Sequence, residues 1–499
     1  MNFLGLSLRN HDANISYSEN NKVKYLKFER EFNIKHLGCL DWSFLRHVFD
    51  KWNIDAKKIN AVSYVTDMGA FNLPSYSKEL IEEIKPNHWF FQNFNCPFFK
   101  IDHHFAHTLS IWPLTKNTDI DFVLDGMGDF EKTHSIFSKN KLLKSWEIDE
   151  AESIGRRLGV LAESNNVEGH NLDLAGKLMA LKSFGKVNHN FCNLFTDEIT
   201  QIDKLFHHRK YFTSNDNEEK TPLNRLASCH YKSEKIILNF FKKNCNFDDV
   251  ISYTGGVAQN SVINGILKKH FKNLHIPPHC PDDGLSLGCL EFLRQHYNQE
   301  YFETKNFPFW QDDVNPNEIP DEETLNETCE FLAKGKIVGW YQGHGELGPR
   351  ALGNRSILMN PMIKNGKQIL NDKVKKREWF RPFGASILEK ETNKYFLFNE
   401  KSEYMLYVTN ILDKENFPSI THIDGTCRIQ TVNENNFVYY NLIEKFYKLT
   451  GVPMLLNTSL NLNFFPICSR PVYALQLFEK SEMDVLVIGN TIYKKNGII

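Results

Sequence analysis

Three histidines crowd into five residues at His103-His104-Phe105-Ala106-His107. If this run is helical, His103 and His107 lie one turn apart on one face, and their imidazoles can share a metal ion. The alternative is a set of packed histidines with satisfied ring nitrogens. A zinc protease of the HExxH type places a water-activating Glu beside the first His. Phe105 and Ala106 fill the middle here, which argues against that chemistry. No Cys-x-x-Cys pair occurs, so the expected ligands are nitrogen and oxygen. Such a set suits iron, manganese or zinc. Asp125, before Gly126, and Asp282, before Asp283-Gly284, are carboxylates that can point into a cleft from the end of a strand or turn. Spacing alone does not separate them from ordinary Asp-Gly turns.

A second group is Thr254-Gly255-Gly256-Val257-Ala258-Gln259-Asn260. Paired glycines ahead of a helix let backbone amides approach a phosphate or an adenosine. The run is neither a Walker A loop nor GxGxxG, and a plain left-handed turn is the alternative. The third group is basic. Arg350 and Arg355 lie in GHGELGPRALGNRS, and Lys375, Arg377 and Arg381 lie in KVKKREWFRP. Arg forks bind phosphate or carboxylate through two hydrogen bonds, and Lys acts as a point charge. A solvated basic face is the alternative, but the surrounding glycines and prolines favour loops that aim side chains inward. Late in the chain, Asn457-Thr458-Ser459-Leu460-Asn461 follows the apolar Met454-Leu455-Leu456. Hydroxyls and amides at a strand end suit a phosphate or ribose, or simply a polar turn.

These groups need a frame. The first 30 residues read as strands about the polar turn Arg9-Asn10-His11-Asp12, and residues 121–137 repeat the pattern about Asp125–Asp129. Strand, polar turn and strand, twice, predict a duplicated α/β core with a cleft between its halves. Residues 251–254 read as a strand and 257–269 as a helix. Residues 298–320, rich in Asn, Asp and Pro, read as a domain connection. Residues 324–332 (helix) and 336–341 (strand) then open a second α/β unit. The expected domains are 1–305 and 306–499.

At 499 residues the chain is too long for one ordinary core. Its 59 Lys and Arg against 61 Asp and Glu give a net charge of −2, which disfavours a protein whose main task is wrapping nucleic acid or an anionic membrane. The 39 Phe residues read as core packing. No apolar run approaches the ~18 residues of a membrane span, and the N-terminus lacks the pattern of a signal peptide. The ten scattered cysteines read as reduced thiols, and a cytoplasmic location is expected.

Together the segments resemble the nodulation-protein-type carbamoyltransferases, which include enzymes that O-carbamoylate antibiotics. The resemblance runs through His11-Asp12-Ala13, EREFNIKH at 29–36, HHFAH, Asp125-Gly126-Met127-Gly128, Gly176-Lys177-Leu178-Met179, GGVAQN and residues 281–288. It continues through GPRALGNRSIL, VKKREWFRPFG, THIDGTCRIQTV and NTSLN.

This resemblance implies an N-terminal domain of the actin/sugar-kinase type and a C-terminal YrdC-like twisted open α/β sheet. It implies that ATP, with Mg²⁺, and carbamoyl phosphate form carbamoyl-AMP in the second domain. The carbamoyl group would then pass in the first to a hydroxyl, or less readily an amine, of a small acceptor such as a natural product or sugar. Arg350, Lys375, Arg377, Arg428, Ser459 and Asn461 would hold the phosphates, with Arg355, Arg381 and Thr458 beside them. His103, His107, Asp125 and Asp282 would ligate a divalent metal, iron in this family. Gly255, Gly256 and Asn260 would contact the adenylate, and Gly126, Gly128 and Lys177 belong to the same expected nucleotide set. His11 and Lys35 would lie near the transferred group.

The sequence departs from the family at three places. The family's Arg-Phe-Thr-Arg is here part of Glu29-Arg30-Glu31-Phe32-Asn33-Ile34; its Ala-Pro-Ser is Gly384-Ala385-Ser386; and Phe464-Phe465 replaces a Gly-Glu. None removes a proposed ligand. A macromolecular acceptor is the alternative: the hydrogenase-maturation relative carries paired-Cys modules ahead of this region, and a tRNA acceptor fits poorly with the charge. A non-catalytic binding module would be expected to have lost one of the two sites.

Overall fold

The computed structural model describes residues 1–39, 41–67, 73–74, 79–208, 222–316 and 318–495. Asn317, in the expected connection, lies outside them. The chain divides into two compact units, Met1–Glu29 with His36–Lys305, and Arg30–Lys35 with Asn306–Ile499.

The first unit has two sheets. One contains β1 (Phe3–Leu8), β2 (Asn14–Glu19), β3 (Lys22–Lys27), β4 (Ala61–Thr66), β5 (Ile81–Ile84) and β6 (Phe98–Ile101), in the order β3-β2-β1-β4-β6-β5. β1 to β3 form an antiparallel meander, β4 and β6 continue parallel to β1, and β5 is an antiparallel edge. The other sheet contains β7 (Ile120–Leu124), β8 (Lys132–Ser138), β9 (Lys141–Glu147), β10 (Ile251–Thr254) and β11 (Leu274–His275), in the order β11-β10-β7-β8-β9. Again a meander is followed by two parallel strands. This repeat is the duplicated α/β core expected from the sequence. All six residues of β1 are buried, as the unbroken FLGLSL suits a strand covered on both faces. Polar turns separate β1, β2 and β3, and Phe28 opens a short helix, Phe28–Phe32.

The helices that matter for the sites are α1 (His103–Leu109), α2 (Asn171–Leu181), α3 (Pro222–Asn244), α4 (Ser261–His270) and α5 (Leu285–His296). Asp102 starts α1: its carboxylate accepts from the Phe105 amide at 3.0 Å. The helix expected over 257–269 is a 3₁₀ turn, Gly256–Gln259, and then α4. Asn260 causes the break because its side chain caps α4 by accepting from the Ile263 amide. Two glycines set the depth of α5. A Cβ on Gly5 of β1 would lie 2.2 Å from the Ser286 carbonyl oxygen, and one on Gly288 would lie 1.9 Å from that of Ala106. Only glycine allows α5 to approach β1 and α1 so closely.

The second unit is one mixed open sheet. Its strands are β12 (Val338–Tyr341), β13 (Arg355–Met359), β14 (Gly384–Leu388), β15 (Tyr407–Asn410), β16 (Thr426–Val432), β17 (Met454–Ser459), β18 (Val485–Ile488) and β19 (Thr491–Lys494). Their order is β15-β16-β14-β17-β13-β12-β18-β19. Helices α6 (Glu322–Ala333), α7 (Phe437–Thr450) and α8 (Pro471–Lys480) pack on it. Asn457, Thr458 and Ser459 are not a turn after the strand but its last three residues, paired with β13. Among the described residues, no helix is long and apolar enough to cross a membrane.

Candidate active sites

In the first unit three separate segments bring four residues to one cluster. α1 presents His103 and His107, the end of β7 presents Asp125, and the turn before α5 presents Asp282. Nε2 of His103 is 2.9 Å from Asp125 Oδ2 and 3.6 Å from Asp282 Oδ1. Nε2 of His107 is 3.3 Å from Asp282 Oδ1 and 3.9 Å from Asp125 Oδ2. One ligand atom from each of the four lies within 4.8 Å of the others, and all four residues are buried. Among the described residues, neither ring nitrogen of His107 makes a well-formed hydrogen bond, and Nε2 faces the two carboxylates. Orphaned buried imidazole nitrogens facing two carboxylates fit a divalent cation held by nitrogen and oxygen.

The electrostatics agree. Burial works to raise the Asp125 pKa, but the hydrogen bond from His103 and the nearby imidazoles hold it well below the usual range. For Asp282 burial is outweighed by the Arg9 guanidinium, so this carboxyl also stays ionised. Arg9, which sequence reading placed only in a polar turn, is buried beside the cluster, 3.2 Å from Asp282 and in short contact with His103 Nδ1.

The glycine loop abuts this cluster. The Gly256 amide donates to Asp125 Oδ1 at 2.7 Å, and a Cβ there would lie 2.9 Å from the same oxygen. Gly255 adopts φ +90°, and a Cβ would strike the Leu124 carbonyl. A Cβ on Gly128 would meet the His104 ring at 2.7 Å, whereas Gly126 has open space. Asn260 Nδ2 donates to His230 Nε2 at 3.0 Å, and His230 Nδ1 pairs with Glu234 at 2.8 Å. Lys182 pins Glu234 at 2.9 Å. His230 and Glu234, on α3, were missed because a buried helical His gives no sequence signal. Lys177 of α2 donates to the Glu168 carbonyl.

His11 stands at the rim. Its Nδ1 is 3.2 Å from Asp12 and 3.6 Å from Asp282. Burial lowers its pKa, but the Asp12 hydrogen bond and the Asp282 charge win and raise it. Asp12 is fixed by Lys27 at 2.8 Å, and Lys27 also reaches Glu29 at 3.0 Å and Asp283 at 2.6 Å. His36 joins Asp12 and Asp173, and these partners overcome burial to lift its pKa to about 9.

The second unit gathers the basic residues. Lys375 Nζ donates to Ser459 O and Asn461 O at 2.8 Å and to Asn461 Oδ1 at 2.7 Å, so the end of β17 and its following turn hold the amine. Among the described residues, no carboxylate pairs with it there. Burial first, then Arg377 and Arg381, push its pKa well down. Arg377 is lowered by burial and by Arg381, Arg428 and Arg350, and Arg428 by burial and by Arg350 and Arg381. Glu378 pairs with Arg381 at 3.3 Å, and Arg377 lies over the Phe383 ring. Like charges in one place raise the free energy of the ligand-free site, and an arriving polyanion relieves it. Lys35, expected near the transferred group, belongs to this unit and adds to the positive charge felt by Lys375. Arg355 is different. It is fully buried, pairs with Asp313 at 2.8 Å, donates to the Gln342 and Gly343 carbonyls and stacks on Tyr341. Its guanidinium builds the loop. Thr458 sits in β17 opposite Ile357.

The family described as carbamoyltransferase N-terminus matches residues 75–290, and carbamoyltransferase C-terminus matches 329–495. The chain belongs to the carbamoyltransferase family. It is a transferase by class. It is 28% identical to nodulation protein NolNO of Sinorhizobium fredii over 79% of this chain and 64% of that one, so the match spans just under two thirds of that relative. It is 26% identical to 3'-hydroxymethylcephem-O-carbamoyltransferase of Amycolatopsis lactamdurans over 65% of each chain. Among solved structures, T. kodakarensis HypF is 14% identical at a TM-score of 0.40, covering 60% of this chain and 48% of that one; so distant a likeness carries no functional weight.

Proposed function

We propose that this carbamoyltransferase-family chain makes carbamoyl-AMP in its second unit and transfers the carbamoyl group in its first to the hydroxyl of a small acceptor. One observation carries the reading: a carbamoyltransferase-family chain buries Lys375, Arg377 and Arg428 beside Arg350 and Arg381, and burial with the repulsion of these neighbours depresses the pKa values of the three buried cations. Carbamoyl phosphate and ATP are polyanions that repel each other, and such a cluster can hold both. The mixed open sheet of the second unit is consistent with a YrdC-like fold. The acceptor class follows the hydroxymethylcephem on which the Amycolatopsis lactamdurans relative acts.

The balance is simple. ATP, carbamoyl phosphate and one water give carbamoyl-AMP, pyrophosphate and phosphate. In transfer the acceptor oxygen bonds to the carbonyl carbon, the bond from that carbon to the phosphate oxygen breaks, and AMP leaves. Lys375 and the arginines bind and orient the phosphates and offset charge moving to the leaving oxygens. His11 holds Nδ1 toward Asp12, leaving Nε2 to take the acceptor proton. Gly255, Gly256 and Asn260 offer close backbone and amide contact to the nucleotide. A divalent cation, iron by resemblance, held by His103, His107, Asp125 and Asp282, would supply Lewis-acid charge against the adenylate.

The two units separate in mutants. Lys375→Ala is expected to abolish pyrophosphate release. His11→Ala is expected to keep it and slow transfer by roughly 10²–10⁴-fold, the usual worth of a general base. Quenched assays of pyrophosphate and of carbamoylated acceptor measure both. Loss of pyrophosphate release in His11→Ala would refute this division of labour.

A further inference from the structure

The chain leaves the first unit after Glu29, contributes Arg30–Lys35 to the second, and re-enters the first at His36. The base of this excursion is closed, because the His36 amide donates to Glu29 Oε2 at 2.9 Å. In the second unit the segment is held at several points. Ser469 Oγ donates to the Arg30 carbonyl at 2.5 Å, and Arg470 pairs with Glu31 at 2.7 Å. Arg30 is 2% exposed. Its Nη1 donates to the Glu346 carbonyl at 2.6 Å, and its Nη2 donates to the Gly348 carbonyl.

Those two carbonyls open the turn that carries Arg350. The same turn is gripped from inside, where the buried Glu346 carboxylate accepts from the amides of Leu352 at 2.7 Å, Asn354 at 2.9 Å and Arg355 at 3.1 Å. A planar fork on two carbonyls fixes backbone direction in a way a flexible ammonium does not. Gly348, at φ +79°, is the joint that Arg30 restrains.

We propose that Arg30 is a positioning residue of the cationic site: by clamping the Glu346 and Gly348 carbonyls it sets the turn that presents Arg350, so the phosphate site of the second unit is completed by a segment from the N-terminal part of the chain. This rests on reading the cationic cluster as the phosphate site. Arg30 touches no substrate, so its effect belongs in substrate affinity. A misplaced turn costs roughly 10–100-fold when geometry is slightly wrong.

The test uses the full chain. Arg30→Ala and Arg30→Lys are compared with wild type for pyrophosphate release at varied carbamoyl phosphate, with thermal melting as the fold check. The expected result is a KM for carbamoyl phosphate raised roughly 10–100-fold in Arg30→Ala, partly restored by added methylguanidinium. Arg30→Lys keeps the charge and loses the fork; it is expected to melt like wild type yet show a raised KM. A wild-type KM in Arg30→Lys overturns the inference, even if Arg30→Ala fails to fold. If wild type itself releases no pyrophosphate, the proposed reaction fails instead. Arg30 is then read by calorimetric binding of inorganic pyrophosphate, where weaker binding in Arg30→Lys upholds the role and equal binding overturns it.

Discussion

Asp121 and Asp125 come from one strand and its end, yet their surroundings drive them in opposite directions. Asp125 faces imidazoles and stays ionised despite burial. Asp121 is also buried, but its partners are hydroxyls, including Ser252 at 2.6 Å, and burial wins, raising its pKa to about 6. The folded pKa lies above the unfolded value, so folding favours the protonated form. The associated stability is present below about pH 4 and is lost as pH rises through about 6, a penalty on the order of 2–3 kcal/mol at neutral pH. Asp121→Asn should therefore unfold at higher denaturant than wild type at pH 7.5, with the difference vanishing near pH 4. A pH-independent difference would show that the carboxyl is not the source. Sequence reading singled out Asp125 but gave no sign of how Asp121 would differ from it, because ionisation is set by neighbours that only the fold supplies. Arg9 and His230 were invisible for the same reason.

At the scale of elements, the metal-type cluster depends on how deeply α5 beds on α1. The HHFAH run was readable as a helix because Asp102 caps it and its histidines recur at one-turn spacing. What could not be read was the partner, since Gly288 approaches Ala106 from a segment distant in sequence. Gly288→Ala places a methyl against that carbonyl and should cost about 1–3 kcal/mol by overpacking. It should also separate Asp282 from His107. We expect this variant to purify with less bound divalent metal by emission spectroscopy, while pyrophosphate release from the second unit persists. Unchanged metal content would mean the cluster does not need this contact. The helix expected at 257–269 failed to extend because Asn260 spends its side chain on a cap, and the polar end of β17 remained a strand because β13 pairs with it.

Across the whole molecule, the near-neutral charge conceals strong local separation. Carboxylates hold the histidines and lysines of the first unit, whereas in the second a group of cations stands with Glu378 nearby. Averages over 499 residues could exclude a bulk nucleic-acid binder but could not show this contrast. The motif runs could, because GPRALGNRS and REWFRP keep their arginines close in sequence as well as in space. The excursion Arg30–Lys35 was not legible, as nothing in its composition signals that it serves the other unit. The central claim is that the cationic cluster activates a carbamoyl group with ATP. Purified protein incubated with ATP, Mg²⁺ and carbamoyl phosphate, without acceptor, is analysed by mass spectrometry. Carbamoyl-AMP appearing together with pyrophosphate is the predicted result. A folded protein that yields neither, and whose ATP stays intact, would contradict it.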